Sequence, residues 1–328
     1  MTVSVETTAP WSQLRLRQSA HLRDLVAETT FSVAQLIQPL FVVEGLEGTQ
    51  PIPGLGENAR FGEDAALERI ARDLDTGVRH FLLFGVPASK HLHDLRFDHF
   101  RRATSVIKDR FGDALHLWVD ICLCSSTEHG HCAILDDNGR IELGSTLEAL
   151  AAMALEVVDA GADGISPSDM MDGRTAYLRA ALDEDDHQRI PIMSYSTKFA
   201  SQFYGPFREA AGSAPQFGDR RHYQIDVRAR RDAIASSVRC AQEGADLLMV
   251  KPGLTSLDLI QPIAERTGKP VGAYQVSGEY GSLLALAAQG LIKLDAALLE
   301  TWHVFRRAGA AYIITYGARD ARALGLGG

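Results

Sequence analysis

Three of the four cysteines in this 328-residue chain fall inside one segment, Asp120-Ile-Cys-Leu-Cys-Ser-Ser-Thr-Glu-His-Gly-His-Cys132. A C-x-C-x7-C cluster in a chain otherwise poor in cysteine speaks for a metal rather than a disulfide framework. Thiolate sulfur selects zinc, and three protein ligands (Cys122, Cys124, Cys132) leave a fourth position for water or substrate, the pattern of a catalytic site. A structural site would want a fourth protein ligand, which His129 or His131 can supply. Cys240, in a predicted helix, reads as a small buried residue.

Two lysines stand out next. Lys251 ends the run Leu-Leu-Met-Val-Lys-Pro, and Lys198 lies in Met-Ser-Tyr-Ser-Thr-Lys-Phe. An apolar strand that delivers an ammonium to an enclosed pocket lowers its pKa, leaving neutral amine to attack a carbonyl. Either lysine alone reads as a side chain snorkelling to solvent. Both together, on adjacent strands about 4.8 Å apart, read as a reactive pair. After Lys198 comes a glycine-rich, aromatic stretch holding Arg208, Arg220 and Gln224. Such a loop can close over a ligand, its arginines gripping a carboxylate. Ser277 and Tyr316 bring hydroxyls able to donate to a second carboxylate.

The elements that must position these groups are eight short apolar runs: Leu36–Val43, His80–Val86, Leu115–Cys122, Gly164–Ser168, Pro191–Ser196, Leu247–Lys251, Val271–Ser277 and Tyr312–Tyr316. Helical stretches alternate with them at Glu63–Thr76, Asp98–Arg110, Thr146–Ala160, Arg174–Asp185, Arg228–Glu243, Ser256–Thr267 and Leu294–Ala308. Strands apolar on both faces, alternating with amphipathic helices, imply a parallel sheet covered by helices, and eight units predict an α/β fold of the (β/α)8 TIM-barrel type. Active sites of such barrels form at the C-terminal strand ends. Asp120 and Cys122, Ser168 and Asp169, Lys198, Lys251, Ser277 and Tyr316 all fall at or just after such ends. A doubly wound sheet would carry a glycine fingerprint between an early strand and helix; none occurs. The expected organisation is an N-terminal arm over residues 1–32, with a basic amphipathic piece at Leu14–Val26, and a barrel over 33–328. The net charge of -9 is spread along the chain, with no basic stripe for nucleic acid and no polybasic membrane patch. Neither a secretory signal nor a membrane span is evident, so a cytoplasmic protein is expected.

These motifs resemble the porphobilinogen synthase family, also called 5-aminolevulinate dehydratase. The resemblance runs through residues 22–30, 40–45, the Cys122 to Cys132 segment, Ser-Pro-Ser-Asp-Met-Met-Asp-Gly-Arg at 166–174, Ser194 to Gln224, Met-Val-Lys-Pro at 249–252 and Ala-Tyr-Gln-Val-Ser-Gly-Glu-Tyr at 273–280. It implies a barrel with an N-terminal arm, usually assembled as an octamer, that joins two 5-aminolevulinate molecules with loss of two waters. By motif, Lys251 would hold the substrate forming the propionate side and Lys198 the one forming the acetate side. Ser277 and Tyr316 would bind the first carboxylate; Arg208, Arg220 and Gln224 the second. Cys122, Cys124 and Cys132 match the zinc-dependent branch, while Asp120 and Ser168 match pocket-lining positions.

The chain departs from the family in places. The stretch after Pro87 is short and lacks Gly-Ser-x-Ala, Ser125-Ser126 replaces an acidic-Tyr pair, and Ala133 follows the third cysteine. Where many bacterial members have a glutamate that helps hold an activating magnesium, this chain has Ser236, which speaks against an allosteric Mg2+. Two other readings stay open. A class I aldolase would need one Schiff-base lysine and no zinc; a paralog could act on a related amino ketone, or merely bind zinc or amino ketones.

Overall fold

The computed structural model describes residues 14–92 and 94–327. Its backbone falls into two compact units, Met1–Thr30 and Phe31–Gly328. Among the described residues of the first are a 3-10 turn (Arg15–Arg17) and a short α-helix, α1 (Ala20–Leu25), capped by the Ser19 hydroxyl on the Leu22 amide.

The second unit is the expected barrel. Strand β1 (Leu36–Val43) leads into a small antiparallel hairpin, β2 (Thr49–Pro51) and β3 (Ala59–Phe61), then α2 (Glu63–Asp75) and β4 (His80–Val86). Next come α3 (Asp98–Phe111), β5 (His116–Ile121), α4 (Leu143–Asp159), β6 (Gly164–Pro167), α5 (Arg174–Glu184) and β7 (Met193–Lys198). After α6 (Gly205–Ala210) and α7 (Arg230–Gln242), the chain continues through β8 (Leu247–Lys251), α8 (Leu257–Thr267), β9 (Val271–Gln275), α9 (Ser277–Ala288), α10 (Leu294–Arg307) and β10 (Ile313–Thr315). The barrel strands run β6-β5-β4-β1-β10-β9-β8-β7, each pairing parallel to the next. A parallel bridge between Ile165 and Ile192 closes the ring.

The strands form where they do because both faces are covered. Phe81, Leu82, Leu83, Leu117, Val119, Leu248 and Met249 have no exposed surface, and burying each such side chain is worth roughly 1.5–3 kcal/mol. The helices carry the complementary pattern: α2 opens with Glu63 and Asp64 and closes near Arg72, matching its dipole. At Gly272 the Tyr312 ring lies where a Cβ would stand. That close approach lets the Tyr312 hydroxyl donate to the Leu248 carbonyl at 2.8 Å, tying β10 to β8 across β9.

The hairpin and helices α6 and α9 were not expected. One of these changes a reading at the site: Ser277 does not end a strand but is the first residue of α9, because β9 stops at Gln275.

Candidate active site

Lys198 and Lys251 are the last residues of β7 and β8 and stand as direct partners in the parallel register. Both are buried, at 5% and 3% exposure. The Lys251 ammonium lies among four rings, with its Nζ 4.3 Å from the Tyr274 centroid, 4.8 Å from Tyr195 and Phe207, and 5.3 Å from Tyr204. Burial, reinforced by the Lys198 charge, holds its pKa well below the ordinary lysine range. A lowered pKa raises the share of neutral, nucleophilic amine. Lys198 donates to the carbonyl of Ser168, and its Nζ is 5.5 Å from the Tyr195 ring.

Asp120, near the end of β5, is buried, and one of its carboxylate oxygens has no hydrogen-bond partner. Burial lifts its pKa to about 6, against the pull of the Lys198 and Lys251 charges. A carboxyl group titrating there can hold or release a proton near neutrality. Ser168 follows β6 in the same rim.

Cys122, Cys124 and Cys132 come together just past β5, their sulfurs all within 4.8 Å of one another. All are buried and unbridged. The Cys124 thiol is drawn well below its ordinary pKa, first because Cys122 and Cys132 hydrogen-bond to it, with help from Arg220 and Lys198. Three soft donors in one buried cluster suit a thiophilic ion. No histidine joins this cluster among the described residues. The His131 ring is engaged elsewhere, Nδ1 with the Tyr223 hydroxyl at 3.2 Å and Nε2 with the Phe217 carbonyl at 3.1 Å. His129 Nδ1 accepts from the His131 amide. The protein donor set among the described residues is thus three sulfurs.

Of the carboxylate-binding candidates, Gln224 and Arg220 are buried, Arg220 near the cysteines, and Arg208 is half-buried. Gln224 has neither amide atom hydrogen-bonded, an arrangement that costs stability unless a ligand completes it. Arg220 donates to the Gly130 and Ser213 carbonyls. Burial works against its charge, and Cys132 and Cys124 more than offset that, raising its pKa. On the other side, the Tyr316 hydroxyl sits 3.4 Å from that of Tyr274. The Ser277 hydroxyl accepts from the Phe207 amide at 3.1 Å and faces the Phe203 carbonyl at 3.4 Å, so here it anchors the covering segment. Lys90, in the stretch after β4, donates to the Gly212 carbonyl of that segment. The Phe207 ring of that segment covers the Lys251 amine.

Sequence reasoning missed the ring cage of Tyr195, Tyr204, Phe207 and Tyr274. A tyrosine three residues before Lys198 and another in the Ala-Tyr-Gln-Val stretch were the available signals. Ser236 is buried with its hydroxyl on the Ser196 carbonyl at 2.7 Å, so the position offers no acidic ligand.

Fold and site together define an α/β-barrel enzyme whose mouth carries two enclosed lysines beside a three-cysteine cluster. The family model described as delta-aminolevulinic acid dehydratase matches residues 12–324. The chain is 41% identical over 315 residues to the delta-aminolevulinic acid dehydratase of Bacillus subtilis, covering 94% of this chain and 95% of that protein. It is 43% identical to that of Synechocystis, over 94% and 96% of the two chains. The crystal structure of delta-aminolevulinic acid dehydratase (porphobilinogen synthase) from Toxoplasma gondii, in complex with its product porphobilinogen, superposes with a TM-score of 0.92 at 37% identity, covering 95% of this chain and 90% of that one. The chain belongs to the delta-aminolevulinic acid dehydratase family.

Proposed function

We propose that this enzyme condenses two molecules of 5-aminolevulinate to porphobilinogen with loss of two waters, a step of tetrapyrrole (haem) biosynthesis. The observation that carries this reading is the direct pairing of Lys198 with Lys251, both buried, at the ends of adjacent strands. Each amine attacks the ketone of one substrate and expels its oxygen as water, which accounts for both waters. The resulting iminium acidifies the neighbouring carbon, and its enamine is the nucleophile that joins the two substrates. As the ring closes, both lysines leave as free amines, so the enzyme is regenerated. Asp120 is the proton carrier suited to these steps by its pKa near 6. Burial among the aromatic rings keeps water from Lys251 and, with the Lys198 charge, lowers its pKa. Arg208, Arg220 and Gln224 would hold one substrate carboxylate, and Ser277 and Tyr316 the other once the covering segment has opened; Ser168 would line the pocket between. Cys122, Cys124 and Cys132 would hold a zinc ion that supplies Lewis-acid polarisation of a substrate oxygen.

The four free cysteines suit a reducing, cytoplasmic setting, and no described helix is long and apolar enough to cross a membrane. Residues 1–32 would act as an arm for a homo-oligomer, an octamer by family habit; the exposed Leu14, Leu16, Leu25 and Val26 support a partner for that segment. Incubating the pure protein with 5-aminolevulinate tests the reading: a pyrrole by colour reaction, and borohydride-trapped adducts on both lysines by mass spectrometry, are expected. Zinc-loaded protein that forms neither would be a binding protein or a paralog for another amino ketone.

A further inference from the structure

Tyr195 and Lys198 lie three residues apart on one strand, yet both reach the barrel mouth, where the Lys198 Nζ is 5.5 Å from the Tyr195 ring. A regular strand alternates its side chains, so residues an odd number apart face opposite ways. The register explains the exception: Ser194 pairs with Leu248 and Thr197 with Val250, leaving β7 one residue too many. This is a β-bulge, which re-aims the side chains beyond it and leaves backbone groups without ladder partners. Thr197 consequently turns outward, its hydroxyl on the Ala233 carbonyl and on Ser237 of α7.

The freed carbonyls have dedicated partners. Tyr195 O accepts from the Arg174 guanidinium at 3.1 Å, and Ser196 O accepts from the Ser236 hydroxyl at 2.7 Å. Arg174 is 3% exposed. It also donates to the Met171 carbonyl at 3.0 Å and lies 3.7 Å from the Asp169 carboxylate. Asp169 in turn accepts from the Met171 amide at 2.7 Å. The turn so pinned holds Met170 at φ 77, a conformation a non-glycine residue keeps only when its surroundings over-determine it. Its first residue is Ser168, whose carbonyl receives the Lys198 ammonium. One buried guanidinium therefore joins both elements that orient Lys198.

We infer that Arg174, seconded by Ser236, is a positioning residue of this site: it clamps the β7 bulge and the Ser168–Arg174 turn so that Lys198, and not Lys251, is aimed at its substrate. This rests on the Schiff-base reading above. The bias towards Lys198 follows from geometry: the clamp holds both elements that orient Lys198, whereas of the groups around Lys251 it touches only the Tyr195 backbone, and neither clamp residue hydrogen-bonds to β8.

The test is borohydride trapping with 5-aminolevulinate in zinc-loaded protein, with adducts at the two lysines counted separately by peptide mass spectrometry. Arg174→Lys keeps the charge opposite Asp169 but loses the planar fork that reaches two carbonyls. Misplacing a reacting group by a fraction of an ångström costs about tenfold or more. The Lys198 adduct should therefore form about tenfold more slowly, with that at Lys251 changed less than about twofold, and kcat should fall with the Lys198 signal. Normal labelling of both lysines in the folded variant, or equal loss at both, overturns the inference. If Arg174→Lys does not fold, Ser236→Ala is judged by the same ratio, with a smaller expected fall. Wild-type protein that labels neither lysine fails the Schiff-base reading instead, and the inference falls with it.

Discussion

Replacing Asp120 by asparagine should make the protein more stable and nearly inactive at once. The carboxylate is buried, has an oxygen without a hydrogen-bond partner, and titrates at about 6 instead of its ordinary 3.8. At about 1.4 kcal/mol per pH unit, keeping it ionised in the fold costs about 3 kcal/mol at neutral pH. The sign follows from the raised value: the folded state binds the proton more tightly than the unfolded chain, so the penalty is complete above pH 6. It fades as the pH falls from about 6 towards 3.8, where both states become protonated. Asparagine carries no charge at any of these pH values. Asp120→Asn should thus gain up to about 3 kcal/mol at pH 7.5, an advantage that shrinks steadily on acidification. Loss of the proton carrier should lower kcat by about 10²- to 10⁴-fold and remove the limb of the pH–rate profile near 6. Urea unfolding of metal-free wild type and variant at pH 7.5, 6 and 4.5, beside the pyrrole assay on the zinc-loaded proteins, checks both halves. A variant less stable than wild type at pH 7.5, or a difference that does not change with pH, would refute the reasoning.

Chelating the zinc, or making Cys124→Ala, should abolish pyrrole formation and leave the far-UV circular dichroism intact, since the barrel core does not depend on the cysteine cluster; an apo protein that unfolds would make the site structural. Zinc affinity should weaken as the pH falls, because protons compete for the thiolates, which a competition titration with a coloured chelator reads directly. Gln224→Leu should raise KM by about 10- to 100-fold with a smaller change in kcat, as expected for a lost hydrogen bond to a charged group; an unchanged KM would remove Gln224 from the carboxylate site. Light scattering should report a large homo-oligomer, and added magnesium should leave activity nearly unchanged given the Ser236 hydroxyl's commitment to Ser196.

Much of the barrel was legible because its strands are buried on both faces and so appear as unbroken apolar runs. The bounds of β1, β4 and β8 coincide with those runs. Lys198, Lys251 and the cysteine trio were legible for the converse reason, as polar groups at ends of apolar strands where burial demands a purpose. Beyond that, local pattern stops informing. Val271–Ser277 reads as one strand, yet β9 ends at Gln275 because Glu279 folds back onto the Val276 amide and the Leu254 amide, starting α9 at Ser277. Whether a histidine joins the cysteines depended on Tyr223 and the Phe217 carbonyl, some ninety residues away, which claim both nitrogens of His131. The extra residue in β7 is invisible in Met-Ser-Tyr-Ser-Thr-Lys, since a bulge is a relation between two strands and a property of neither alone. Periodicity and residue chemistry are short-range and determined which groups reach the mouth of the barrel; which of them face one another is a matter of register and long-range hydrogen bonds, and the tertiary structure decided that.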